Sequence, residues 1–115
     1  MVKINIPKPE LKGFVIYNPA NGLFSRGGSA PRWDKKPKIW NNIGHLKNHL
    51  HAALDRGSYR NGNNDKEYTV SNIYRDCVVY DIVSDTEVDL DMYKYIEEHI
   101  MNGYYGRNGY TIVYR

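Results

Sequence analysis

Residues 13 to 28 read GFVIYNPANGLFSRGG. Two short apolar runs flank a turn, with Phe14, Ile16 and Leu23 separated by residues that can face the other way. Pro19 and the Asn21-Gly22 pair supply the turn chemistry between them, so the stretch predicts a β-hairpin. That reading commits the start of the fold to antiparallel pairing. Upstream, MVKINI predicts a further edge strand, which Pro7 and Pro9 bring to an end.

Downstream, Arg26 to Trp40 reads RGGSAPRWDKKPKIW, with five cationic side chains and one acidic one in fifteen residues. A helix is predicted after it, capped by Asn41 or Asn42. Its apolar positions Ile43, Leu46, Leu50, Ala53 and Leu54 recur at helical spacing, and Gly57 marks its end. His45, His49 and Arg56 then fall on one flank of the apolar stripe, and Lys47 and His51 on the other. Residues Ser58 to Lys66, SYRNGNNDK, read as an exposed polar loop. Cys77 to Val83 alternates as a strand, with a less definite one over Tyr68 to Tyr74. A second helix is expected to begin at Asp85 or Thr86, to turn Val88, Met92, Tyr95, Ile96 and His99 inward, and to stop at Gly103. The turn Gly106 to Gly109 leads into a closing strand, YTIVYR, with Ile112 as its core residue. The order predicts one α+β domain over residues 1–115: a mainly antiparallel sheet of four to five strands with two helices packed on it.

A chain of 115 residues has room for one core. Its single cysteine, Cys77, can form no internal disulfide, which points to a reducing cytoplasm. The amino terminus has charge and proline where a leader needs an apolar run, and no stretch has the length of a membrane span, so no membrane partner is expected. The net charge of +3 conceals a division. Residues 1–60 hold eleven Lys and Arg against three Asp and Glu, and residues 61–115 hold five against ten. A basic half of net +8 calls for an acidic partner, or for the acidic half of net −5 to face it within the fold.

The binding candidates are therefore Arg26, Arg32, Trp33, Lys35, Lys36, Lys38, Trp40, His45, Lys47 and His49. The cations would meet carboxylates or phosphates, and the indoles would offer stacking faces. Trp40, beside the amphipathic helix, reads as the residue that plugs the core, leaving Trp33 for contact. His45 and His49 have i, i+4 spacing, but nothing supplies a third ligand, so both read as solvated, as does His51. His99 is explained by the carboxyl end of its helix. Asp81, Asp85, Glu87, Asp89 and Asp91 lack the glycine and terminal glutamate of a calcium loop, and helix-start electrostatics account for them. No catalytic residue, metal or cofactor is assigned. Tyr104, Tyr105 and Tyr110 are candidates to extend a recognition face.

The run from Tyr17 to Leu50, carried by Tyr17, Gly22, Phe24, Gly27, Gly28, Lys38, Trp40, Ile43, Gly44, Leu46, Lys47 and Leu50, resembles a segment found in small proteins of tailed bacteriophages. There a strand–turn–strand ending in a glycine pair precedes a Lys/Trp loop and an IGxLKxHL-type helix. The resemblance covers roughly the first half of the chain. It implies a viral protein in the host bacterial cytoplasm, of the host-takeover or anti-defence kind, and it transfers no catalytic residue. The expected function is stoichiometric binding to a bacterial host or defence complex through the basic loop. The alternatives are sequence-independent nucleic-acid binding by the same loop and, third, a metal-dependent enzyme acting on nucleotides or nucleic acid. Homo-oligomerisation stays open.

Overall fold

A computed structural model describes residues 13–60 and 66–115, with the side chains of residues 59 and 60 left aside. The expected edge strand in MVKINI lies outside the described residues. The fold is α+β. Strands β1 (Phe14–Asn18), β2 (Leu23–Ser25), β3 (Trp33–Asp34), β6 (Val78–Asp81) and β7 (Thr86–Glu87) form an antiparallel sheet in the order β3-β2-β1-β6-β7. The GFVIYN hairpin forms as expected, with Tyr17 opposite Phe24. On its other side β1 pairs with β6, Ile16 opposite Val79.

Both faces of this sheet are covered. Ile16 and Val79 enter the main core, while Val15, Tyr17, Phe24 and Tyr80 form a second buried cluster on the opposite face. Near-continuous apolar runs such as FVIY and VVY are what two buried faces require. Gly13 precedes β1 at φ +139°, where a Cβ would lie 2.4 Å from the Trp40 carbonyl oxygen. That close approach lets Phe14 and Trp40 exchange backbone hydrogen bonds of 2.8 and 2.9 Å.

Helix α1 (Ile43–Leu54) starts where Asn42 accepts the His45 N–H at 2.8 Å, and it buries Leu46, Leu50, Ala53 and Leu54. It does not run to Gly57. The chain turns at Asp55 directly into β4 (Asp55–Arg60), where Gly57, at φ +86°, occupies an irregularity in the register. Asp55 stabilises that irregularity by accepting the Gly57 N–H at 3.1 Å and the Tyr68 hydroxyl. Ser58–Arg60 and Lys66 are thus strand residues rather than loop, because β4 pairs antiparallel with β5 (Lys66–Val70). Strand β8 (Thr111–Tyr114) joins β5 in parallel, completing a second, three-stranded sheet in the order β4-β5-β8.

The second helix also starts later than expected. Asp85 sits at φ +56° in a turn, and Thr86–Glu87 pairs with Tyr80 and Asp81, so α2 spans Met92–Met101 with Asp91 as its cap. Val88 continues the strand pairing through its N–H to Val79. Met92, Ile96 and Ile100 are buried, Tyr95 is half-buried, and His99 is exposed rather than inward. A short α3 (Tyr104–Arg107), unforeseen, follows Gly103. Gly106 makes it fit, since a Cβ there would lie 1.7 Å from the Met101 carbonyl oxygen. Tyr110 is buried rather than displayed, and Ile112 is half-buried. One main cluster draws on α1, α2 and both sheets, including Ile16, Leu50, Val70, Val79 and Ile96. Among the described residues no helix is long and apolar enough to cross a membrane.

Candidate interaction surface

The basic segment is a folded-back hairpin extension. The Arg26 N–H donates to the Arg32 carbonyl at 2.8 Å, β3 pairs with β2, and the Lys38 N–H returns to the Ser25 carbonyl at 3.0 Å. Arg26, though exposed, fastens the loop, with Nη1 donating to the Lys36 carbonyl at 2.9 Å. Arg32, Lys35, Lys36 and Lys38 are exposed. Among the described residues the only ion pair is Arg115 with Glu67 at 3.2 Å, both in the acidic half. No carboxylate ion pair among these residues neutralises the loop cations.

Beneath the loop lies a polar chain that the sequence did not announce. Ser25 Oγ and Tyr74 Oη are 2.5 Å apart, and Tyr74 Oη is 2.6 Å from His49 Nε2. Ser25 Oγ also accepts the Gly27 N–H at 3.1 Å. The His49 ring lies 4.7 Å from that of Trp40, and Trp33 meets Tyr74 edge-on at 5.9 Å. His49 is therefore half-buried and not solvated. Burial, with the Lys38 charge adding to it, pushes its pKa down to about 4, so the ring is neutral near pH 7. Burial likewise pushes the Tyr74 phenol up. The network ties β2, α1 and the Tyr74 turn together, each polar atom having a partner, and fixes the root of the loop.

The remaining candidates divide between the surface and its support. Trp40 is buried, as expected of the core plug; Trp33 is half-buried against the core, so only part of its ring faces solvent. His45 is exposed at the start of α1. Lys47, half-buried, holds its ammonium 5.3 Å from the centre of the Tyr95 ring. His51 is half-buried too, bonded to Tyr95 Oη at 2.9 Å and packed on His99. Arg56, placed on the helix flank by the sequence reading, instead reaches the loop from β4, with Nη2 donating to the Ser29 carbonyl at 2.9 Å.

The acidic segment has individual explanations. Asp91 caps α2, Asp85 accepts the Tyr80 hydroxyl, and Asp81 accepts the Val83 N–H at 2.9 Å. Glu87 and Asp89 border a cleft of about 430 Å³ with Arg75 and Tyr93. Among the described residues no three His, Cys, Asp or Glu side chains are placed to hold a metal ion. Burial raises the Cys77 thiol to about 12, so it carries little thiolate at neutral pH. Of the tyrosines considered for recognition, Tyr104 is 66% exposed, whereas Tyr105 packs between Tyr68 and Tyr110. No family model matches the chain, and neither a curated protein nor a solved structure matches it.

Proposed function

We propose that this is a phage-encoded protein that blocks or redirects a bacterial protein complex by stoichiometric binding, with the loop from Arg26 to Trp40 against an acidic patch on its target. The observation carrying this reading is the set Arg32, Lys35, Lys36 and Lys38, exposed and unpaired with carboxylates among the described residues, on a loop tied at both ends. Unneutralised cations speed encounter with an acidic surface and select against basic ones. A loop already held in shape loses little entropy on docking. Trp33 adds a partly exposed ring edge as an apolar contact. The phage setting rests on the resemblance of residues 17 to 50.

The test is capture from bacterial lysate with the tagged protein, before and after nuclease treatment. One host complex retained in both samples at constant stoichiometry is the expected result. Substituting Arg32→Glu, Lys35→Glu and Lys36→Glu together should abolish capture while leaving the circular dichroism spectrum intact. Capture that survives this charge reversal removes the loop from the interface. Retention that disappears with nuclease would make nucleic acid the partner, a reading favoured by the same unpaired cations but offered no freely exposed indole for base stacking.

A further inference from the structure

The five-stranded sheet ends in two strands of opposite charge. At one edge β3 is flanked by Arg32 and by Lys35 and Lys36, all exposed. Asp34, within β3, is spent on its own turn, accepting the Lys35 N–H at 2.6 Å and the Lys36 N–H at 3.3 Å. At the other edge β7 contains Glu87 and is followed by Asp89, both exposed. Asp81 and Asp85, half-buried ahead of them, accept the Val83 N–H and the Tyr80 hydroxyl. Arg75 borders the cleft beside Glu87 and Asp89, but among the described residues it makes an ion pair with neither. One sheet therefore presents unneutralised cations at one edge and unneutralised carboxylates at the other.

Four interstrand steps separate the two edges, about 19 Å at ordinary spacing, so a single copy cannot close the pair on itself. A second copy can. Its acidic edge, set beside the basic edge of the first, matches Glu87 and Asp89 with Arg32, Lys35 and Lys36, and brings together two strands that each have a neighbour on one side only among the described residues. We propose that this chain self-associates head to tail, the β7 edge of one copy docking on the β3 edge of the next. The two surfaces differ, so the contact is heterologous and extends into a ring or an open chain. Two-residue strands offer little backbone pairing; charge carries the contact, which is weak and sensitive to salt. The contact goes beyond target binding and rests on the two edges alone. A docked copy covers the cations that would meet a target, so self-association and capture compete for Arg32, Lys35 and Lys36.

The experiment is sedimentation velocity on the purified full chain over a concentration series, at about 0.02 M and about 0.3 M sodium chloride, a change that shortens the screening length about fourfold. The sedimentation coefficient is expected to climb with concentration at low salt and to stay at the monomer value at high salt. Two neutralised variants test the pairing. Arg32→Gln with Lys35→Gln and Lys36→Gln removes the basic edge, and Glu87→Gln with Asp89→Asn removes the acidic one; all these residues are exposed, so the fold is expected to survive. Each variant alone should lose affinity by about tenfold or more, whereas an equimolar mixture should form a one-to-one pair through the edge left intact on each. With the chain lacking the basic edge ¹⁵N-labelled, adding the unlabelled chain lacking the acidic edge should shift amides at residues 86–89 and leave those at 32–36 unmoved. A monomer at every concentration in low salt, association that either variant retains by itself, or a mixture that stays monomeric overturns the proposal. Should a variant fold poorly, amide shifts on dilution of the wild-type chain decide: they must fall at both edges together, and shifts at one edge alone or elsewhere overturn the contact. The measurement uses pure protein, so failure of this contact and failure of lysate capture are separate results.

Discussion

His49 lies between an indole and a phenol, and protonating it places a charge where little water can reach. Its pKa falls from the ordinary 6.5 to about 4 in the folded chain. Below 6.5 the unfolded chain takes up a proton that the folded one refuses, so the contribution of His49 to stability is fully present above 6.5. It is lost progressively as pH falls towards 4, and levels off below that. The ring keeps partial solvent access, so screening reduces the loss to roughly 1–2 kcal/mol. His49→Gln retains a polar group for Tyr74 without the titration. Its urea-unfolding stability should decline less between pH 6.5 and 4.5 than that of the wild type; parallel declines would place the sensitive group elsewhere. Trp40 could be assigned to the core from its place beside an apolar helical stripe. The role of His49 could not, because Tyr74 lies 25 residues away and nothing local marks the pair.

At the level of elements, the start of α1 was legible to within one residue, because the adjacent pair Asn41-Asn42 adjoins one clean apolar stripe, and the structure chooses Asn42. The start of α2 was not. Asp85, Glu87, Asp89 and Asp91 alternate, and any acidic residue ahead of an apolar stripe resembles a cap. The choice among them is made by tertiary pairing: Thr86 and Glu87 bond to β6, and this holds the chain extended until Asp91. Asp91→Ala, which removes an acceptor for the N–H groups of Tyr93 and Lys94, should cost about 1 kcal/mol in chemical denaturation. Asp89→Ala, two residues earlier on an exposed segment, should change stability by less than about 0.5 kcal/mol. Equal losses from both would contradict the cap. Gly57 misled for a related reason, since left-handed glycine serves helix ends and strand irregularities alike.

For the molecule as a whole, the sequence conveyed the class, α+β with mainly antiparallel strands, but not the division into two sheets. The parallel β5–β8 pairing joins segments more than forty residues apart in sequence, and no turn between them records it. Residues from both sheets and both long helices nevertheless share the main core, which favours unfolding as one unit. The two tryptophans, Trp33 and Trp40, both flank the first sheet, so their fluorescence follows that region, while far-ultraviolet circular dichroism follows all elements. Superimposable urea transitions are expected from the two probes. Separated midpoints would divide the chain into two folding units. The hydrogen bond from Arg26 to the Arg32 carbonyl has a different consequence. With the tip closed at its base, lengthening the segment between these residues is inexpensive, about 0.6 kcal/mol for each doubling of a flexible loop. Insertions there leave the backbone hydrogen bonds at the base in place, so the segment can change length without unmaking the sheet it grows from.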